Sequence, residues 1–183
     1  MYKLKTIIVM LLVGSLAFAG IKSSEKRDKL IGEDIAIFYP PNFDSNANLP
    51  SLAFEKEPNI IGEIPSGWKQ VPCFYYTEKE TYATFPVDKG VSLYGTGEVT
   101  GSLLRNGKSI ELWNTDTPGY QRADGNRLYH SHPWVLGVRE NGTAFGIIAD
   151  NTWKQKLILT DSIRFISEAR PSCRRPAGRL WQV

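Results

Sequence analysis

Short runs of β-branched and aromatic residues recur along this chain, each closed within a few residues by glycine, proline or asparagine. They cover Asp34–Phe38, Phe74–Thr77, Thr81–Val87, Val91–Tyr94, Ser102–Arg105, Ser109–Trp113, Trp134–Arg139, Thr143–Ala149, Lys154–Leu159 and Ser162–Phe165. Many short strands at this spacing predict an all-β chain, an antiparallel β-sandwich or barrel, rather than an α/β fold. Only Ser23–Ile31 is read as a short helix. Two Asn-Gly pairs are expected to close hairpins. Asn106-Gly107 lies between Ser102–Arg105 and Lys108–Trp113, and Asn141-Gly142 between Trp134–Glu140 and Thr143–Ala149. Asn-Gly tolerates the positive φ angles of a type I′ turn, whose twist matches the flanking strands. Asn141-Gly142-Thr143 also spells a glycosylation acceptor, but the turn accounts for those residues without a sugar. Prolines crowd residues 40–86, so that stretch reads as edge strands and extended loops, proline having no N–H for a central ladder.

The ends differ from the body. Lys3 and Lys5 precede an apolar run from Ile7 to Phe18, and Ala17-Phe18-Ala19 offers small residues flanking a cleavage point. Residues 1–19 are therefore read as a signal peptide, too short for a mature anchor that needs about 20 apolar residues. Export, to the periplasm or beyond the cell, is the expectation, with no membrane segment in the mature form. Of 183 residues, the body at 20–169 is enough for one sandwich domain. The formal net charge is +3. The basic excess sits in the leader and in Arg170, Arg174, Arg175 and Arg179, so the body is mildly acidic and nucleic acid is not an expected partner. Residues 170–183 contain two prolines, four arginines and no strand alternation. They are expected to lie outside the fold as a disordered tail, and the abrupt change suggests a shifted reading frame. Cys73 and Cys173 allow one internal disulfide at most, and sequence does not show whether they meet. Cys173, in that tail, is expected to be unpaired.

Four segments carry chemistry in order: Leu93-Tyr94-Gly95-Thr96-Gly97-Glu98, Leu112-Trp113-Asn114-Thr115-Asp116, Leu128-Tyr129-His130-Ser131-His132-Pro133-Trp134, and Phe145-Gly146-Ile147-Ile148-Ala149-Asp150-Asn151. Gly95-Thr96-Gly97 is spaced like a phosphate cradle, yet no helix or Lys-Ser/Thr follows it. A tight bend or bulge, with Glu98 satisfying backbone donors, is the better reading. His130 and His132 fall on one strand face by alternation, which suits two metal ligands, but a site needs a third and none is signalled. No metal or other cofactor is expected. Trp113, Tyr120, Trp134 and Trp153 present faces on which the C–H side of a sugar could stack, or they belong to the core.

Taken together, Tyr94–Asn151 resembles the N-terminal domain of glycoside hydrolase family 31. The resemblance implies a mutarotase-like β-sandwich that precedes a (β/α)8 barrel and is its partner. It also implies a carbohydrate substrate, a terminal α-linked glucoside or related sugar, cleaved with retention. In such enzymes two barrel aspartates lie about 5 Å apart, one attacking the anomeric carbon and one protonating the leaving oxygen. No segment here matches either barrel motif, so no catalytic residue is assigned, and this chain is expected to be inactive alone, a fragment ending where the barrel should begin. The resemblance further assigns Asp116 to sugar hydroxyls, reaching over the barrel mouth, with Trp113 beside it. An ionised carboxylate accepts without donating and bridges adjacent hydroxyls. A turn cap within Thr117–Tyr120 is the other role open to Asp116. Three functions remain: a non-catalytic sugar-contacting module of an exported α-glucosidase-like enzyme, a free-standing carbohydrate-binding sandwich, and an epimerase using His130, His132 and Glu98.

Overall fold

The structure, a computed structural model, describes residues 21–22, 28–41, 43, 59–118, 127–168 and 179–182, with the backbone course alone for 21–22 and 179–182. Thirteen strands and no helix form among these residues. They are β1 (Ile21–Lys22), β2 (Lys29–Gly32), β3 (Ile35–Phe38), β4 (Gly62–Glu63), β5 (Cys73–Tyr76), β6 (Glu80–Pro86), β7 (Ser92–Val99), β8 (Lys108–Leu112), β9 (Arg127–Val138), β10 (Ala144–Asp150), β11 (Gln155–Leu159), β12 (Ser162–Glu168) and β13 (Arg179–Gln182).

All pairings are antiparallel. One sheet orders its six strands β1-β5-β6-β12-β11-β8, the other its seven β4-β2-β3-β13-β10-β9-β7. Alternation along each strand decides which face is buried. Phe74, Phe85, Ile110, Leu157, Leu159, Ile163 and Phe165 from the first sheet meet Phe38, Leu93, Val135, Phe145 and Ile147 from the second in one apolar core. Burying each such side chain fully stabilises the fold by about 1.5–3 kcal/mol.

Several expectations change. Residues 29–32 are strand β2 rather than part of a helix, and 23–27 lie outside the described residues. Ser102–Arg105 is not a strand, so Asn106-Gly107 closes no hairpin, and β8 pairs with β11 instead. The Asn106 side chain bridges to the start of β7, accepting from the Leu93 N–H and donating to the Val91 carbonyl. Asn141-Gly142 does join β9 to β10. Neither turn is type I′, because Thr96 is the sole non-glycine with positive φ among the described residues. At 139–143 only Gly142 is left-handed, and it closes a three-residue loop through Arg139 and Thr143.

The tail reading is corrected at its end. Residues 179–182 form β13, which fills the gap between β3 and β10 in the middle of the larger sheet. Pro171 and Pro176 fall before this strand and only Arg179 of the four arginines falls within it, so neither proline interruption nor charge repulsion acts on the ladder. Residues 170–178 lie outside the described residues, as do Cys173 and the expected signal peptide at 1–19. Cys73 is an exposed free thiol.

Candidate functional site

Leu112 at the end of β8 and Gln155 at the start of β11 are register partners, and both side chains turn inward. They end the inward rows of the smaller sheet where the core meets solvent. Pro133 and Ser131 of β9 line the same space, as do Trp113 and Trp153 in the loops beside Leu112 and Gln155. The result is an open cleft of about 430 Å³. Trp113 is 46% exposed. On the floor, Gln155 is buried and donates from Nε2 to the Asn151 carbonyl at 2.9 Å. Its Oε1 is buried without a partner. Asn151 in turn accepts from the Trp153 N–H through Oδ1 at 2.8 Å, which sets the loop that carries Trp153.

The loop after Trp113 runs along the first half of β9. Asn114 Oδ1 accepts the Ser131 N–H at 2.9 Å, and the Thr115 N–H donates to the Leu128 carbonyl at 2.9 Å. Thr117 Oγ1 reaches the Arg127 carbonyl at 3.4 Å. Asp116 sits between these anchors, exposed, with no hydrogen bond or ion pair to another described residue. The turn cap is therefore not made to Thr117 or Pro118; Gly119 and Tyr120 lie outside the described residues. Beneath the loop, Glu111 pairs with Lys154 and, at 2.9 Å, with Arg127. The Lys154 hydrogen bond, opposed in part by desolvation and helped by the weaker Arg127 charge, holds the Glu111 carboxyl below the usual range.

Glu98, His130 and His132 come together elsewhere. Pro133 has no N–H to give and the β7–β9 register shifts around it: Gly95 pairs with Val135, but Gly97 with Ser131. Gly95, Thr96 and Gly97 all take positive φ there. A Cβ on Gly97 would lie 2.5 Å from the His130 carbonyl oxygen, so this close approach requires glycine. Arg105, 5% exposed, ties the bulge to the 99–102 bend, donating to the Gly95, Ser102 and Val99 carbonyls at 3.3, 2.7 and 3.3 Å. Glu98 Oε2 accepts the His130 N–H at 3.1 Å and lies 3.0 Å from His130 Nδ1. Together with Tyr94 and Trp134 these groups line a second cleft, of about 550 Å³, on the outer face of the larger sheet.

The expected bulge and the donor-satisfying role of Glu98 are thus what the chain builds. His130 and His132 do share a face, with ring centroids 6.3 Å apart. No group of three or more His, Cys, Asp or Glu side chains is arranged for a metal among the described residues. Of the three side chains considered for an epimerase, Glu98 and His130 bond each other at 3.0 Å. Trp134 belongs to the outer cleft, Trp113 and Trp153 to the end cleft, and Tyr120 lies outside the described residues. Gln155, Asn151 and Arg105 were not singled out from sequence. A glutamine breaking an inward apolar row, as in Gln155-Lys156-Leu157-Ile158-Leu159, was the available signal.

Residues 40–157 match the family model described as the glycosyl hydrolase 31 N-terminal galactose mutarotase-like domain. Among curated proteins, alpha-glucosidase 2 of Bacillus thermoamyloliquefaciens is 43% identical over 68 residues, 37% of this chain and 8% of that protein. The alpha-glucosidase of Hordeum vulgare is 41% identical over 80 residues, 42% of this chain and 9% of that protein. The chain thus spans less than a tenth of the length of these two relatives. Among solved structures, the Flavobacterium johnsoniae GH31 dextranase complexed with glucose aligns at a TM-score of 0.59 and 16% identity. That alignment covers 85% of this chain and 23% of the dextranase and speaks to the fold alone.

Proposed function

Because the chain belongs to the family of glycosyl hydrolase 31 N-terminal galactose mutarotase-like domains, we propose that it is a non-catalytic module of an exported α-glucosidase-like hydrolase. In this reading it presents the 113–118 loop to a terminal α-linked glucoside, or a related sugar, held in the enzyme's catalytic barrel. The observation that carries the reading is Asp116: an exposed carboxylate with no described partner, on a loop anchored on both sides by Thr115 and Thr117. A carboxylate held this way loses little on binding, because its loop is already ordered, and its lone pairs are open to hydroxyl donors. Export rests on residues 1–19, and N-terminal sequencing of the secreted protein should begin after Ala19.

The test is Asp116→Ala in an intact enzyme carrying this loop. Loss of charge-assisted hydrogen bonds to sugar hydroxyls should cost about 1.5–3 kcal/mol, roughly ten- to a hundred-fold in kcat/KM, with the unfolding transition unchanged. Unaltered kinetics would remove Asp116 from the site. The chain alone should not hydrolyse aryl α-glucosides.

A further inference from the structure

We infer that the cleft between Trp113 and Trp153 is a neutral-saccharide site in its own right, one that binds without a barrel and without Asp116. It rests on the carbohydrate reading of this module, but it does not use Asp116 and lies at the Trp113 end of the 113–118 loop.

The chemistry of the walls selects the ligand. No ionisable side chain lines the cleft, so an anion or cation would find no countercharge there. The Trp113 indole, 46% exposed, offers an apolar face, Trp153 also lines the cleft, and the polar part of the wall is amide and hydroxyl. Among these, Asn114 uses Oδ1 for the Ser131 N–H and keeps its amide donors unengaged by any described residue. At the floor Gln155 is 3% exposed and its Oε1 has no partner. Its orientation is set, because exchanging the amide atoms would turn an oxygen toward the Asn151 carbonyl. Gln155 Oε1 is itself closed off from solvent, so the polar groups open to a ligand are the Asn114 amide and the Ser131 and Thr152 hydroxyls. The ligand must therefore be uncharged, carry C–H faces for the indoles, and hold groups that both donate and accept. A pyranose has all three, and the cleft volume lies within the usual range for small-ligand sites.

The full-length chain, titrated with maltotriose and with isomaltotriose by calorimetry and tryptophan fluorescence, should bind at least one of them saturably and shift the indole emission. Trp113→Ala, at an exposed position that leaves cooperative unfolding intact, should weaken binding by about tenfold or more. Asp116→Ala should leave it unchanged. Absence of saturation with both trisaccharides would overturn the inference. So would Trp113→Ala binding like the parent, or a loss on Asp116→Ala. The Asp116 kinetics in the intact enzyme are a separate readout, so either reading can fail alone.

Discussion

Strand β9 lines two clefts, and what holds the one open differs from what holds the other. Even-numbered residues His130, His132 and Trp134 face the outer cleft, while odd-numbered Ser131 and Pro133 face the end cleft. The outer cleft is shaped by backbone: three consecutive left-handed residues and a buried guanidinium that engages three carbonyls. The end cleft and its loop are held by side-chain bonds from Asn114, Thr117 and Asn151 and one backbone bond from Thr115, with ion pairs from Glu111 at the surface. Left-handed backbone pressed against a neighbouring strand is costly to disturb, whereas caps and surface pairs are cheap. Substitutions at the outer cleft should therefore be read in stability, and those at the end cleft in ligand affinity.

Gly97→Ala is the strongest challenge to that contrast. Its Cβ would meet the His130 carbonyl oxygen at 2.5 Å and the His132 nitrogen at 2.7 Å, both backbone atoms, at a φ of +82°. A loss of about 2–4 kcal/mol in urea unfolding is expected. A loss below ~1 kcal/mol would mean the bulge relaxes easily and the two clefts do not differ in kind. Arg105→Met should follow, at about 1–3 kcal/mol, since it strands carbonyls that the guanidinium now satisfies. A neutral outcome in the same unfolding measurement would show that other groups can reach those oxygens.

Asn114→Ala is expected to cost about 0.5–1.5 kcal/mol, the worth of one hydrogen bond to the Ser131 N–H. Hydrogen exchange at the Ser131 amide should quicken in this variant; unchanged exchange would show that the loop is held without Asn114. The smallest effect is expected from Glu111→Gln, about 0.2–1 kcal/mol because the pairs are exposed to solvent. Its pH dependence has a definite sign. The folded-state pKa of Glu111 lies below its ordinary value, so its stabilisation is present above an unfolded pKa of about 4.3 and disappears as pH falls through the folded value. The stability gap between parent and variant should close in acid, and a gap that widens there would reverse the assignment.

Much of the strand framework was legible because alternation and punctuation are local properties. Thr81-Tyr82-Ala83-Thr84-Phe85 and Gln155–Leu159 announce an inward row every second residue, and those rows form the core. Turn geometry was less legible. Asn106-Gly107 has the composition of a hairpin turn, but whether the flanking runs pair depends on competitors, and β11 won β8. At the sites, Glu98 and the glycines before it could be assigned to a bulge from their own composition. Gln155 was missed because its role appears only when Leu112, Pro133 and Trp153 are brought to it from other elements.

Sequence alone was enough to determine the all-β character and the family of this protein, because strand period, proline content and ordered motifs are written in near neighbours. Tertiary structure decided three further things. It placed β13 between β3 and β10, it split His130–Trp134 between two clefts, and it left the Gln155 oxygen without a partner at the floor of one of them. Each depends on which distant backbone satisfies a given hydrogen-bonding group, and that choice is made by competition among all strands at once.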